Sequence, residues 1–407
     1  ISDKMTKTLN LNFEDMFKIS TTCLRFNRSH PDVVRDRVWK IQFCFVLTVS
    51  FTIFMLLLYS ILLHDIKNGK FDNVCKNFTM VIVSITITLK YLVLLAHQES
   101  LKDMIKFLES DYNDDNYMDE DKDTVLEYAI RGTKVSKFWL YTGFVTGAIF
   151  PVKAFISMAY KYWEGDFKLV AMFEFTYPQP IEGYKNVPFI FCLLFLLALT
   201  FDFYAAVMYV GFDPIVPIFM LHICGQLVII SRRLNKLFAE VKDPKEIEEQ
   251  LKIIIISITI LLYLIDNIYF SFMDQVKSNF SILYEYIMKA TTFLIPLTAF
   301  QIIDLRNHWV NVEFISFFIG CILHFVIPCY YSDLLMETSE NYRQAIYSCG
   351  WEKCPDKRVR QIILFMITRA RIPLGIRTVF YEINLDTFAE MCRQSYTLLN
   401  LMNAAWA

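Results

Sequence analysis

The chain has 407 residues, of which 55% are hydrophobic and 16% aromatic, more than the roughly 45–50% apolar content of soluble domains. It holds 11 glycines and 12 prolines and shows no run of alternating apolar and polar strands, which excludes a β-barrel and leaves helices as the spanning element. A formal net charge of -2 gives no global basic field, so nucleic acid is not an implied partner.

Residues 1–40 are polar and charged and lack a short apolar run near the start, so they read as a cytoplasmic N-terminal segment with no cleavable signal. Runs of about 20 mainly apolar residues, the length a ~30 Å hydrocarbon core requires, then predict six spans. They lie at 41–63, 78–96, 138–160, 187–210, 282–303 and 312–331. Residues 251–272 are also apolar, but they follow the charged run 242–249 and carry Asp266 and Asn267, so they read as a cytosolic extension of the fifth span. A last, more polar candidate lies at 384–402.

Orientation follows from Lys and Arg. Lys4, Lys7, Lys18, Arg25, Arg28, Arg35, Arg37 and Lys40 precede the first span, whereas only Lys67, Lys70 and Lys76 follow it, which puts the N-terminus inside. Even-numbered spans then end in the cytosol, and a seventh leaves the C-terminus outside. The acid-rich stretch 99–134 reads as a solvated loop without the glycine or spacing of a calcium-binding loop. Asn77-Phe78-Thr79 is an outward-facing sequon, so Asn77 is an expected glycosylation site, whereas Asn27-Arg28-Ser29 would be cytosolic.

Cys44, Cys192, Cys321, Cys329 and Cys392 lie inside apolar runs, and Cys349 and Cys354 in a cytosolic segment, so the ten cysteines are expected to be reduced. The six histidines lack ligand spacing, and no phosphate-binding loop, nucleophile elbow or zinc-protease motif occurs. No enzyme, metal or cofactor is expected.

Ionisable residues inside a membrane are candidate functional groups. Lys153 is close enough to the outer face to snorkel, and Asp202 either pairs with a neighbouring helix or serves function. Gly143 and Gly147 have the spacing of a close helix contact. In the last helix Glu390, Arg393, Gln394, Thr397 and Asn400 fall on one face. That stripe either lines a pore or seals against another helix.

In the C-terminal quarter, Tyr347-Ser348-Cys349-Gly350-Trp351, Phe365-Met366-Ile367-Thr368-Arg369-Ala370-Arg371-Ile372-Pro373-Leu374, Asn384-Leu385-Asp386-Thr387-Phe388 and Ser395-Tyr396-Thr397-Leu398-Leu399 follow one another in order. This signature resembles that of the insect odorant receptor family. Gustatory receptors, the alternative, carry Thr-Tyr followed by Gln-Phe; here Ser395-Tyr396 is followed by Leu401-Met402. A G-protein-signalling receptor would show D-R-Y and N-P-x-x-Y motifs, which are missing.

The resemblance implies an all-α membrane protein with seven transmembrane helices, a cytoplasmic N-terminus and an extracellular C-terminus. Its seventh helix is split into a cytosolic half near 356–371 and a pore-lining half near 384–402. The chain is accordingly divided into a cytoplasmic segment 1–40, spans one to four with an outer-leaflet pocket at 41–220, and a cytosolic anchor at 221–277. Spans five and six follow at 278–336, a second anchor segment at 337–383 and the pore helix at 384–407. The implied function is a tuning subunit of a ligand-gated, non-selective cation channel. It would assemble with a shared odorant co-receptor in a heterotetramer at the plasma membrane of sensory neurons.

A volatile ligand is expected in the outer half of spans two, three, four and six. The span directions place there Ile82, Val83, Thr86, Phe144, Gly147, Phe150, Phe191, Phe195, Ala198, Phe317, Phe318 and Cys321. Binding would come from apolar burial, without an essential charged residue. Matching the family's gate through Ser395-Tyr396 points to Leu399, with Asn403 one turn outward, whereas the polar stripe points to Thr397 and Asn400.

Overall fold

The computed structural model describes residues 12–113, 117–262, 272–303 and 312–406. Two short helices, α1 (Phe13–Met16) and α2 (Lys18–Phe26), lead into the first crossing, α3 (Arg37–Tyr59). Asp36 starts α3 by accepting the Trp39 N–H at 2.6 Å, which satisfies one of the amides a helix N-terminus leaves free. The crossing ends in a π-helical turn, Ser60–Asp65. The return crossing is α4 (Phe71–Ala96), and α5 (Gln98–Tyr112) follows on the cytosolic side.

The third crossing, α6 (Asp119–Trp163), is one 45-residue helix that begins well below the membrane. A mostly irregular connection with one short helix, α7 (Gln179–Glu182), leads to α8 (Pro188–Phe212). Pro188 fits the first turn, where its missing N–H costs nothing. After a break at Asp213 and Pro214, α9 (Ile215–Glu240) carries the fourth crossing into the cytosol. There α10 (Pro244–Leu262) packs against α9, α11 (Phe272–Ile303) and α13 (Lys357–Arg369). The sixth crossing is α12 (Val312–Ser348), and α14 (Leu385–Trp406) ends the chain.

Five of these crossings, α3, α4, α6, α8 with α9, and α12, are long and apolar enough to span by composition alone. The other two are α11, which carries Glu285 and Lys289, and α14 with its polar stripe. Among the described residues the only β-pairing is an isolated bridge between Arg377 and Glu382, in the turn that separates α13 from α14. The seventh helix is thus split as expected, and each half has its own cap. Asp356 accepts the Arg358 N–H at 2.6 Å and Asn384 accepts the Thr387 N–H at 2.8 Å.

Two expectations need correction. The described residues of the acidic stretch are mostly helical: they form α5 and the first turns of α6. Leu101, Met104, Leu108 and Tyr112 are buried along one face while most of the acids point outward. Asp121 is buried as well, with its carboxylate 3.0 Å from Arg233 Nη2 and 3.6 Å from Arg232 Nη1 of α9. Residues 251–262 belong to the separate helix α10 rather than to a straight extension of the fifth span; the remainder of that stretch, 263–271, lies outside the described residues.

Candidate functional site

At the centre of the bundle sits a charged cluster that the sequence reading overlooked. Lys90 of α4 is 0% exposed. Its ammonium donates to Asp213 Oδ1 at 2.5 Å, at the end of α8, and to His324 Nε2 of α12 at 2.8 Å. The Tyr209 ring lies 3.8 Å from the same nitrogen and the Phe212 ring 5.5 Å. A buried charge survives only with such partners, and here two other crossings, α8 and α12, supply them. The available signal was Lys90 itself, a cation inside the apolar run 78–96.

Beside this cluster a small cavity of about 60 Å3 opens between α4, α6, α8, α11 and α12. Val83, Phe317 and Cys321 line it, together with Trp139 and His324. Gly143 lets α6 approach α8 closely: a Cβ there would lie 2.6 Å from Val210 Cγ2.

A larger cavity of about 280 Å3 lies toward the outer face, between α8 and the connection that precedes α7. Phe191, Phe195 and Ala198 form its α8 wall. Met172, Phe173, Phe175 and Tyr177 of the connection are buried. Their backbone is tied down by the π-helical turn: the Thr176 N–H donates to Ser60 Oγ at 2.9 Å, and Thr176 Oγ1 lies 3.1 Å from His64 Nδ1. Burial, reinforced by Glu182, pushes the Tyr177 phenol up to about 12. Burial alone would raise the Glu182 carboxyl, but the Lys185 ammonium and the Tyr177 N–H outweigh it and hold the group below its ordinary value.

The twelve expected pocket residues therefore divide. Val83, Phe317 and Cys321 meet at the deep cavity and Phe191, Phe195 and Ala198 at the outer one. Phe150 packs against Phe173 of the connection, ring centroids 5.5 Å apart and the planes tilted by 57°. Gly147 is a contact point of α6 with α8, where a Cβ would sit 3.3 Å from that of Ala206. Asp202 faces the same glycine.

The others lie elsewhere. Ile82 and Thr86 are buried where α4 packs on α11, and the Ile82 carbonyl accepts the Tyr286 hydroxyl at 3.3 Å. Phe318 packs against the core from a half-buried position. Phe144 is a correction: it is 72% exposed, because the neighbouring Gly143 faces α8 and one residue of helix turns the side chain about 100° away.

Two polar expectations also change. Asn77 is only 3% exposed, and its amide donates to Asp65 Oδ2 at 2.9 Å and to Ser60 Oγ at 3.3 Å. A side chain committed in this way inside α4 is not an acceptor for a glycan. Lys153 pairs with Glu313 in the first turn of α12 instead of snorkelling.

On α14, Met391 and Ser395 face the bundle, and the Ser395 hydroxyl donates to the Thr292 carbonyl of α11 at 3.1 Å. Leu399 and Asn403 are half-buried, whereas Arg393, Gln394, Thr397 and Asn400 are exposed. The polar stripe is thus not sealed against another helix of this chain among the described residues.

Comparison with known proteins gives one consistent answer. The family model described as 7tm Odorant receptor matches residues 70–396. Odorant receptor 10a of Drosophila melanogaster is 19% identical over 329 residues, 78% of each chain. Odorant receptor 13a of the same organism is 23% identical over 48% of each. Among solved structures, the insect olfactory receptor OR5 from Machilis hrabei superposes with a TM-score of 0.79 at 15% identity, covering 96% of this chain and 97% of that one. The same receptor in complex with eugenol superposes at 0.77, again at 15% identity, over 96% and 98%.

Proposed function

Since this chain belongs to the 7tm odorant receptor family, as a multi-pass protein of the plasma membrane, we propose that it is the odorant-binding subunit of a ligand-gated, non-selective cation channel. A shared co-receptor supplies the other subunits. The observation that carries this reading is the free polar face of α14. Arg393, Gln394, Thr397 and Asn400 are exposed on a helix whose opposite face is anchored to α11, and such a stripe is costly against lipid. A water-filled axis between subunits removes that cost.

The ligand enters the outer half of the bundle, where the α8 aromatics and the deep cavity provide mainly apolar walls. Burial of apolar surface at roughly 25 cal/mol per Å2 is sufficient for binding a volatile molecule. The test is current recording in cells expressing this chain with the co-receptor, against an odorant panel. Odour-evoked cation currents that need both chains are expected; currents of equal size from the co-receptor alone refute the assignment.

A further inference from the structure

The connection that roofs the outer cavity is fastened to the π-helical turn beside a buried acid. Asp65, the last residue of that turn, is 0% exposed. Its carboxylate accepts the Ser60 hydroxyl at 2.8 Å and the Asn77 amide at 2.9 Å. Among the described residues no lysine or arginine pairs with it; the ionisable group that does is His64, whose Nδ1 lies 3.2 Å from Asp65 Oδ1. A buried carboxylate without a full cation is costly, and π-helical turns recur at functional positions.

As a carboxylate Asp65 only accepts, so the contact puts a proton on His64 Nδ1, and Thr176 Oγ1 at 3.1 Å shares that donor. The nitrogen left to titrate is Nε2, on a side chain 34% exposed at the outer end of the first crossing. Histidine changes charge between about pH 5 and 8, and a second proton turns the contact into an ion pair. Glu182 of α7 is close enough to feel that charge. Both acids are tied to the roof. Ser60, which donates to Asp65, accepts the Thr176 N–H at 2.9 Å, and Glu182 accepts the Tyr177 N–H at 2.9 Å. The other charges around the turn are Lys185, paired with Glu182, and Lys76 of α4, paired with Glu174 of the connection at 3.4 Å. Asp166 and Lys168 pair with each other, and Lys67, Lys70 and Asp72 lie on the adjoining turn and the start of α4.

We propose that His64 and Asp65 form a proton switch at the outer face: protonation of His64 from the external medium clamps residues 166–178 over the outer cavity, and deprotonation loosens them. The clamp acts on the roof and not on a ligand. Met172, Phe173, Phe175 and Tyr177 belong to the clamped stretch and line the cavity, so a tighter roof slows entry and exit together. That last consequence rests on the reading of this cavity as part of the odorant's route; the switch itself does not.

The test reads the roof directly, by hydrogen exchange on the full chain assembled with the co-receptor in lipid nanodiscs and corrected for the intrinsic pH dependence of amide exchange. Residues 166–178 should be about fivefold better protected at about pH 5.5 than at about pH 7.5, the ratio a half-exposed ion pair supports. His64→Gln keeps an amide donor and cannot titrate, so its protection should be equal at the two values. Glu182→Gln leaves the Asp65 pair in place and should retain most of the dependence. Surface expression and the response to a co-receptor agonist show that each variant is folded, and His64 is exposed enough for its replacement to be accommodated. Protection in the parent that does not change with pH overturns the proposal, as does a His64→Gln variant that keeps the parent's dependence. Odour-evoked currents of the parent should rise and decay more slowly at the acid value, and those of His64→Gln should not. A His64-dependent change in protection with unchanged current kinetics supports the switch and refutes the outer cavity as the odorant's route.

Discussion

Lys90 shows what one side chain does in this bundle. Replacing it by Met leaves Asp213 buried without its cation, a change that costs about 3–5 kcal/mol in comparable sites. Lys90→Met should therefore lower the thermal midpoint of the detergent-solubilised receptor and its surface expression. Lys90→Met combined with Asp213→Leu should recover most of that loss, and a single variant as stable as the parent would show that the pair contributes nothing. The aromatic residues make a different prediction. Phe317→Leu in the deep cavity, and Phe195→Leu and Phe150→Leu near the outer one, should each shift odorant potency while leaving direct opening by a co-receptor agonist intact. Dose–response curves for the three variants decide this, and equal loss of both responses would mean a packing role only.

Helix α14 and the N-terminal elbow carry the predictions of element size. Leu399 is half-buried on α14, a helix that packs against α11 and α12, and a constriction that closes by dewetting must be apolar. Leu399→Ala should raise ligand-independent current, and Leu399→Asp should raise it more. Basal current that responds instead to substitutions at Thr397 and Asn400 would place the gate on the polar stripe. In the elbow between α2 and α3, burial draws the His30 imidazole below its ordinary value; Asp32 opposes this and Arg25 adds to it. The unfolded segment then binds a proton that the folded one resists. The elbow is intact above the ordinary histidine value of about 6.5 and loosens as the pH falls through the lower folded value. Limited proteolysis of the N-terminal segment on acidification checks this, with His30→Gln abolishing the dependence.

The same elements show what could be read in advance. Spans, orientation and the split seventh helix followed from apolar run length, the Lys and Arg distribution and the family signature. The burial of Asn77 did not, because it depends on the π-helical turn at Ser60–Asp65, which brings Asp65 and Ser60 within reach and has no periodic signature. The helix α5 was hidden by its acids, although Leu101, Met104, Leu108 and Tyr112 recur at helical spacing. Which face of a helix looks inward was harder to read, since a one-residue offset separates Gly143, facing α8, from the outward Phe144.

At the scale of the whole molecule, the cytosolic layer is charged and amphipathic and has no lipid to face. Ile253 and Ile256 on α10 and Leu364 and Phe365 on α13 are exposed there. Expressed without a co-receptor, the chain should give no robust odour-evoked current, and substitution of Leu364 and Phe365 by Ser should reduce recovery of the co-receptor in pull-downs. Odour-evoked currents from this chain alone would contradict this. The length of α6 connects this layer to the deep cavity. At 1.5 Å per residue its 45 residues run for about 68 Å, and no proline interrupts it between Asp119 and Phe150. Its middle forms a wall of the deep cavity, and its lower end is clasped through Asp121 to Arg232 and Arg233. A stiff strut has no joint in which to dissipate a push. Any tilt imposed on Trp139 by an occupant arrives at the arginine clasp as torque, several helical turns below the membrane.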